Sequence, residues 1–154
     1  MDKFDAINEL IVRLSNAPFD PVLSFKIAVE YERIGQTASA VSFYLRTAEY
    51  GYYTHGEHVY ASLLKASQCF GNQKGREHTV RNLMEKAIAY SPKRSEAWFL
   101  LSRWYERNQK WQESYTAAEV GIQNLPSIFF PLPIDVEYAG DFCLPFQKAV
   151  AAWW

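Results

Sequence analysis

Residues 96–105 read EAWFLLSRWY, residues 111–121 read WQESYTAAEVG, and Pro126 follows. In the first stretch, large apolar residues recur at the spacing of one face of an α-helix. In the second stretch, small residues occupy the inner positions, which allows two helices to approach closely. The two stretches therefore predict a helical hairpin whose first helix is capped by Ser95 and whose second helix ends at Leu125-Pro126.

The rest of the chain repeats this alternation of helix, short turn, helix and loop. An amphipathic leading helix is predicted at residues 1–16. The next helix begins at Asp20-Pro21, a cap residue followed by proline at the first helical position. A last helix is expected to begin near Asp141 or Phe142, because Pro145 is tolerated only in a first turn.

The spacing of two prolines indicates an internal repeat. Pro92 and Pro126 lie about 34 residues apart, which is the length of one tetratricopeptide unit. The residues between them match the first- and second-helix positions of that motif: Trp98, Leu101, Ser102 and Tyr105, then Ser114, Ala118 and Gly121. On these residues, the sequence resembles the tetratricopeptide repeat (TPR) family.

An earlier stretch fits the same motif. Residues 31–35, followed by Ala40 and Tyr44, match it, although Ser24 stands at the tryptophan position. Between the two good units, the 71–75 loop interrupts the pattern, so residues 57–92 are interpreted as a degenerate repeat.

The resemblance implies an all-α, right-handed helical-hairpin solenoid of about three helix pairs with an extra helix at each end. We expect a single domain over 1–154. Its parts are a leading helix at 1–16, repeat 1 at 20–50, degenerate repeat 2 at 57–92, repeat 3 at 95–126 and a C-terminal helical segment at 134–154.

The net charge of the chain and its residue patterns exclude several classes of function. The chain has 16 basic and 17 acidic residues and a formal net charge of -1, which argues against binding nucleic acid or a membrane surface. Cys69 and Cys143 lie in apolar helical patterns and are expected to be free and buried, which favours a reducing, cytoplasmic setting. We expect no enzyme activity, no cofactor and no metal site, and we interpret His55 and His58 as polar surface.

The TPR resemblance places the binding face on the first helix of each pair, and these helices line the concave side of such a solenoid. A face that combines Phe and Arg suits a protein or peptide partner with one apolar anchor and one acidic group. The residues predicted to contact this partner are Phe25, Val29, Arg33, Lys65, Gln68, Phe99, Arg103 and Glu106.

The last third of the chain has a narrower resemblance. Its pattern, ending in Ala151-Ala-Trp-Trp154, looks like the helical-repeat region that accompanies family 2-type glycosyltransferases of bacteria and large phages. The Asp-x-Asp metal motif of those enzymes is missing here. The resemblance therefore implies, as the alternative function, an accessory region of a glycosyltransferase or polysaccharide-modification system.

The apolar end of the chain leaves three alternatives. A terminal solenoid helix normally carries a polar outer face, yet this one ends in Trp153 and Trp154. Either the two tryptophans fold back onto the last helix pair, or the chain is cut from a longer protein, or they are buried in a homodimer.

Overall fold

The structure is a computed structural model that describes residues 2–126 and 129–154, so Met1 of the predicted leading helix lies outside it. These described residues form eight α-helices and no β-strand. The prediction of an all-α fold built from helical hairpins is confirmed. The helices are α1 Asp5–Asn16, α2 Pro21–Arg33, α3 Thr37–Tyr50, α4 Gly56–Gly71, α5 Glu77–Tyr90, α6 Glu96–Arg107, α7 Trp111–Gln123 and α8 Cys143–Trp153.

The chain divides into two compact units, unit 1 up to Val80 and unit 2 from Arg81 onward, with the boundary inside α5. In unit 1, α2 and α3 form a hairpin, α4 packs against α3, and α1 packs against α2. In unit 2, α6 and α7 form a hairpin, and α8 packs against α7. Each unit therefore contains a hairpin followed by a third helix. The single domain expected over 1–154 stays a prediction.

Hydrogen bonds fix both the start and the end of α2, the first helix of the α2–α3 hairpin. The Asp20 carboxylate accepts hydrogen bonds from the backbone N–H groups of Val22 and Leu23 at 2.8 and 3.0 Å, which confirms the predicted helix cap. At the other end, Gly35 has a φ of +79°, and the backbone N–H of Gln36 donates to the carbonyl of Tyr31 at 2.9 Å. This left-handed residue ends α2 and lets α3 begin after one short turn.

The α6–α7 hairpin uses the same turn without glycine. Gln109 has a φ of +58°, and the backbone N–H of Lys110 donates to the carbonyl of Tyr105 at 2.9 Å. Gln109 therefore corresponds to Gly35. In this register Ser24 corresponds to Trp98, Phe25 to Phe99, Val29 to Arg103, Glu32 to Glu106 and Thr47 to Gly121.

Small residues hold α6 and α7 close together, as their spacing predicts. Ser102 Oγ donates to the carbonyl of Ser114 at 2.6 Å, and Ser114 Oγ donates back to the carbonyl of Ser102 at 2.9 Å. Both residues are fully buried. Reciprocal bonds satisfy polar groups that would otherwise be costly to bury.

The last helix begins where Pro145 requires. Phe142 is the N-cap residue and α8 starts at Cys143, so Pro145 lies in its first turn. Within the predicted 134–154 helical segment, helix is thus confined to α8. Residues 129–142, named here the return segment, contain no regular helix or strand. Cys69 and Cys143 are both free and buried, as expected.

Candidate partner-binding faces

The predicted face of α6 is covered by the return segment. The ring of Tyr138 lies 5.6 Å from the ring of Phe99, and Phe99 is only 7% exposed. Arg103 forms an ion pair with Glu137, and its guanidinium also lies 5.4 Å from the centre of the Phe99 ring. The return segment thus covers the two predicted residues in the middle of α6.

The third predicted residue of α6 contacts α8. Gln147 Nε2 donates to Glu106 Oε2 at 2.5 Å, and Gln147 is buried. The corresponding residue of unit 1, Glu32, forms an ion pair with Lys65 of α4 at 2.7 Å. In both units, an acidic residue near the end of the first helix of the hairpin therefore binds the following helix, α8 or α4, and stabilises the packing of its unit.

Contacts of moderate strength hold Glu137 in place. Its φ of +63° is left-handed, which costs a residue with a side chain about 1–2 kcal/mol. Its backbone N–H donates to Asp135 Oδ1 at 2.9 Å. The Glu137 side chain is 58% exposed, and an ion pair this exposed contributes about 0–1 kcal/mol. The backbone cost and the ion-pair gain are therefore of similar size.

Tyr138 takes part in a small polar cluster. Its hydroxyl donates to Asp141 Oδ1 at 3.2 Å and shares a hydrogen bond with Ser95. Burial, reinforced by the nearby Asp141 carboxylate, raises the pKa of Tyr138 to about 12. Ser95 occupies the N-cap position of α6 but makes no capping hydrogen bond. Ser95 therefore stands at the predicted N-cap position, but the predicted capping hydrogen bond is wrong, because the buried hydroxyl bonds Tyr138 instead.

Arg94 anchors the beginning of the return segment, a role that the sequence pattern does not indicate. Its guanidinium donates to both carboxylate oxygens of Glu96, at 2.6 and 3.2 Å. It also donates to the carbonyl of Phe130 at 3.0 Å and lies 5.1 Å from the centre of the Phe129 ring. Arg94 is 6% exposed. A lone arginine before a helix carries no periodic signal that distinguishes it from a surface residue.

In unit 1, the solvent exposure of the predicted binding residues increases along α2. Phe25 is 4% exposed, and its ring contacts the rings of Tyr44 and His58 at 5.8 and 5.1 Å. Val29 is half-buried. Arg33 has a 58% exposed side chain, which pairs with Glu30 of the preceding turn at 2.8 Å. Arg33 is therefore the predicted residue of α2 that a partner would reach most easily.

The two predicted residues of α4 differ from Arg33. The Lys65 side chain is only 12% exposed and is neutralised by Glu32, whose other oxygen accepts a hydrogen bond from the Tyr44 hydroxyl at 2.5 Å. Burial, with the hydrogen bond to Glu32, raises the pKa of Tyr44. Gln68 is half-buried. Lys65 thus ties α4 to α2 rather than presenting a free charge.

His58 gives unit 1 a pH-dependent stability. Burial, the neighbouring His55 and Lys26 lower the pKa of His58 below its ordinary value of 6.5, against an opposing effect of Glu57. The folded chain therefore favours neutral His58, while the unfolded chain takes up a proton as the pH falls through 6.5. The stability that results is present above 6.5 and is lost as the pH falls below it, toward the lower folded pKa.

We therefore expect wild type to lose more stability than His58→Gln between about pH 7.5 and about pH 5.5. Urea unfolding followed by circular dichroism measures this difference. His78→Gln is the control, because His78 is exposed, and it should keep the wild-type pH dependence. Equal pH dependence in wild type and His58→Gln would contradict the role of His58.

The aromatic residues of the repeat motif divide between core and surface. Tyr44 is fully buried, and Tyr31 stacks on Phe43 with ring centres 5.7 Å apart. Trp98 and Tyr105 are half-buried. With Ile88, Leu101 and Ala117 they line an apolar groove of about 390 Å³ in unit 2. Tyr44 is therefore a core residue, whereas Trp98 and Tyr105 border this groove.

At the end of the chain, one tryptophan folds back. The ring of Trp154 stacks on Trp111 of α7 with ring centres 5.4 Å apart and planes 21° apart. Trp153 and Trp154 nevertheless remain 84% and 74% exposed. The fold-back alternative therefore applies to Trp154, while a homodimer through this end stays a prediction.

In the described part of the chain, no three His, Cys, Asp or Glu side chains gather into a group that could hold a metal ion. No helix within residues 2–126 and 129–154 combines the length and apolar character needed to cross a bilayer.

Comparison with known proteins gives matches among solved structures alone. No family model matches the chain, and no curated protein matches it. A crystal structure of MamA has a TM-score of 0.71 at 14% identity, over 99% of this chain and 78% of that one. Residues 41 to the end of MamA from Desulfovibrio magneticus RS-1 give 0.63 at 14% identity, over 98% and 80% of the two chains.

The third structure consists of nearly identical TPR-like repeats from Podosopora anserina, named for a kinesin light chain. It has a TM-score of 0.58 at 20% identity, over 86% of this chain and 65% of that one. The resemblance of the last third to a glycosyltransferase-associated region finds no support in these matches. Likeness at such low identity shows the fold alone, and the fold is TPR-like, as the repeat pattern predicted.

Proposed function

We propose that the chain is a non-catalytic interaction module that binds a protein or peptide partner on the first helices of its TPR-like hairpins. The observation that supports this most is the return segment on α6. There, the chain places an aromatic ring on Phe99 and a carboxylate on Arg103. A cytoplasmic setting, and the absence of enzyme activity, cofactor, nucleic acid and membrane from its function, belong to the same proposal.

The face of α2 offers the same kind of surface in unit 1. Val29 supplies a half-buried apolar contact and Arg33 an exposed guanidinium one turn later. The ring of Phe25, on the same helix, is buried against Tyr44 and His58. An acidic group of a partner would replace Glu30 at Arg33, because arginine forms its strongest hydrogen bonds with carboxylates.

A charge reversal on α2 tests this proposal. We expect Arg33→Glu to reduce capture of a partner from lysate of the source cells by at least about tenfold, because a carboxylate would then repel the acidic group. Arg13→Glu is the matched control, since Arg13 is also an exposed basic residue in the last turn of its helix. The proposal is contradicted if both variants capture the same proteins as wild type, or lose them equally.

A further inference from the structure

One side of α8 is an apolar stripe that is exposed to solvent. Phe142, Phe146 and Trp153 are 67%, 66% and 84% exposed, and Ala149 between them is also exposed. These four residues, named here the α8 stripe, lie on one side of the helix because they are spaced four, three and four residues apart. We propose that the α8 stripe pairs with the α8 stripe of a second copy of the chain, with the two helices antiparallel. This inference goes beyond the proposed function and concerns a different surface.

The α8 stripe contains no charged side chain. Lys148 is the one charged residue of α8, and it forms an ion pair with Glu119 of α7. Pro145 and Val150 border the stripe on its two sides. A continuous patch of large apolar side chains gains free energy when it is covered, and such patches mark sites of protein association.

The helices α8 and α4 occupy the same place in their units. Each packs on the second helix of its hairpin, and each contacts the acidic residue at the end of the first helix. Gln147 of α8 donates to Glu106, and Lys65 of α4 pairs with Glu32. Gln147 therefore corresponds to Lys65. The same register aligns three buried residues of α8 with three of α4: Cys143, Leu144 and Ala151 with Ala61, Ser62 and Cys69.

On α4, the counterpart of the α8 stripe is covered. In this register Phe142, Phe146 and Ala149 correspond to Tyr60, Leu64 and Ser67. These three residues of α4 are at most 1% exposed. The same side of the third helix is thus buried in unit 1 and exposed in unit 2. The α8 stripe therefore has the character of a helix-packing surface.

The α8 stripe is complementary to itself when two copies are antiparallel. Its spacing is that of a coiled-coil seam, and it is the same read from either end of the helix. About a twofold axis at the centre of the stripe, Phe146 of each chain faces Ala149 of the other, and Phe142 faces Trp153. The small side chain of Ala149 leaves room for the opposing ring. A foreign helix would have to present the same order of large and small residues, which this chain already carries.

The apolar area of two stripes is sufficient for a dimer. Covering the exposed parts of six aromatic side chains, three from each copy, removes about 650–1,100 Å² from water, since a fully covered aromatic side chain buries about 150–250 Å². Pro145 and Val150 of both copies add to this area. The total reaches the size of about 1,000 Å² that separates specific interfaces from chance contacts.

Sedimentation equilibrium of the full chain tests the inference, and wild type should be a dimer at micromolar concentration. We expect Phe146→Lys and Ala149→Glu each to raise the dissociation constant of this dimer at least about tenfold, because each places an unpaired charge in an apolar seam. An equimolar mixture of the two variants should recover a dimer with one chain of each, since the new lysine of one chain then faces the new glutamate of the other. Tyr53→Lys is the control, because Tyr53 is 93% exposed in unit 1, and it should dimerise like wild type.

Three outcomes would overturn the inference. These are a wild-type chain that stays monomeric, a dimer whose dissociation constant is unchanged by Phe146→Lys, or variants that fail to pair when they are mixed. Circular dichroism shows whether each variant is folded. If Phe146→Lys or Ala149→Glu unfolds, Trp153→Ser at the end of α8 takes its place. It should also weaken the dimer at least about tenfold, and an unchanged dissociation constant would equally reject the α8 stripe as the interface.

Discussion

Replacing Arg94 with alanine is expected to lower the free energy of unfolding of unit 2 by about 3–5 kcal/mol, because it leaves a partly buried carboxylate without its partner. Arg94 donates two hydrogen bonds to Glu96 and one to the carbonyl of Phe130. The Glu96 side chain is only 13% exposed, so water replaces these bonds poorly. The return segment should also become the first site of proteolysis, since its anchor at Phe130 is lost.

Tryptophan fluorescence during urea unfolding measures this effect selectively, because all five tryptophans lie after Arg81. Arg81→Ala is the matched control. Its ion pair with Glu85 is at 3.4 Å and half-exposed, and such a pair contributes about 0.3–0.5 kcal/mol. A loss of under about 1 kcal/mol in Arg94→Ala, or proteolysis that begins elsewhere, would show that Arg94 does not anchor the segment.

Replacing Gly121 with valine is expected to destabilise unit 2 by about 3 kcal/mol through overpacking. A Cβ atom at Gly121 would lie 2.7 Å from Leu144 Cδ2 and 2.9 Å from Trp98 Cβ. Leu144 can change rotamer, but Trp98 Cβ is fixed to the backbone of α6. In unit 1 the corresponding pair is Ser24 and Thr47, both fully buried. In unit 1 the small residue, Ser24, is on the first helix and the larger one, Thr47, is on the second. In unit 2 the large residue, Trp98, is on the first helix and the small one, Gly121, is on the second.

Unfolding by urea, followed by tryptophan fluorescence, tests this packing. Gln123→Val is the control, because Gln123 is an exposed residue of the same helix in unit 2; its effect should stay within about 1 kcal/mol. Leu144→Ala/Gly121→Val should be less destabilised than the sum of its two single variants, because Leu144→Ala removes the two Leu144 methyl groups nearest to the added Cβ. Strict additivity, or a Gly121→Val protein as stable as wild type, would contradict the close approach.

Local signals in the sequence predict most of the helical framework. Asp20-Pro21 marks the start of α2, Gly35 its end, and Pro145 fixes the first turn of α8. The need for a small residue at Gly121 follows from its place in the repeat. Each of these signals acts over a few residues or one repeat, so it can be recognised without knowing the packing.

The contacts of the α6 face could not be predicted from such local signals. Repeat register places Phe99 and Arg103 on the predicted binding face, but it contains no information about what covers them. Their contacts with Tyr138 and Glu137 join residues far apart in the sequence, and the return segment has no periodicity. Ser95 illustrates the same limit, since its position predicts a cap while its hydroxyl bonds a distant tyrosine.

We propose that a partner binds the first helices of the hairpins, and the affinity of that partner tests this proposal most directly. With the captured partner purified, calorimetry gives the dissociation constant for wild type, Arg33→Glu and Arg13→Glu. We expect Arg33→Glu to raise the dissociation constant at least about tenfold, or about 1.4 kcal/mol, and Arg13→Glu to change it by less than about twofold. Equal dissociation constants for all three proteins would contradict a binding site on α2.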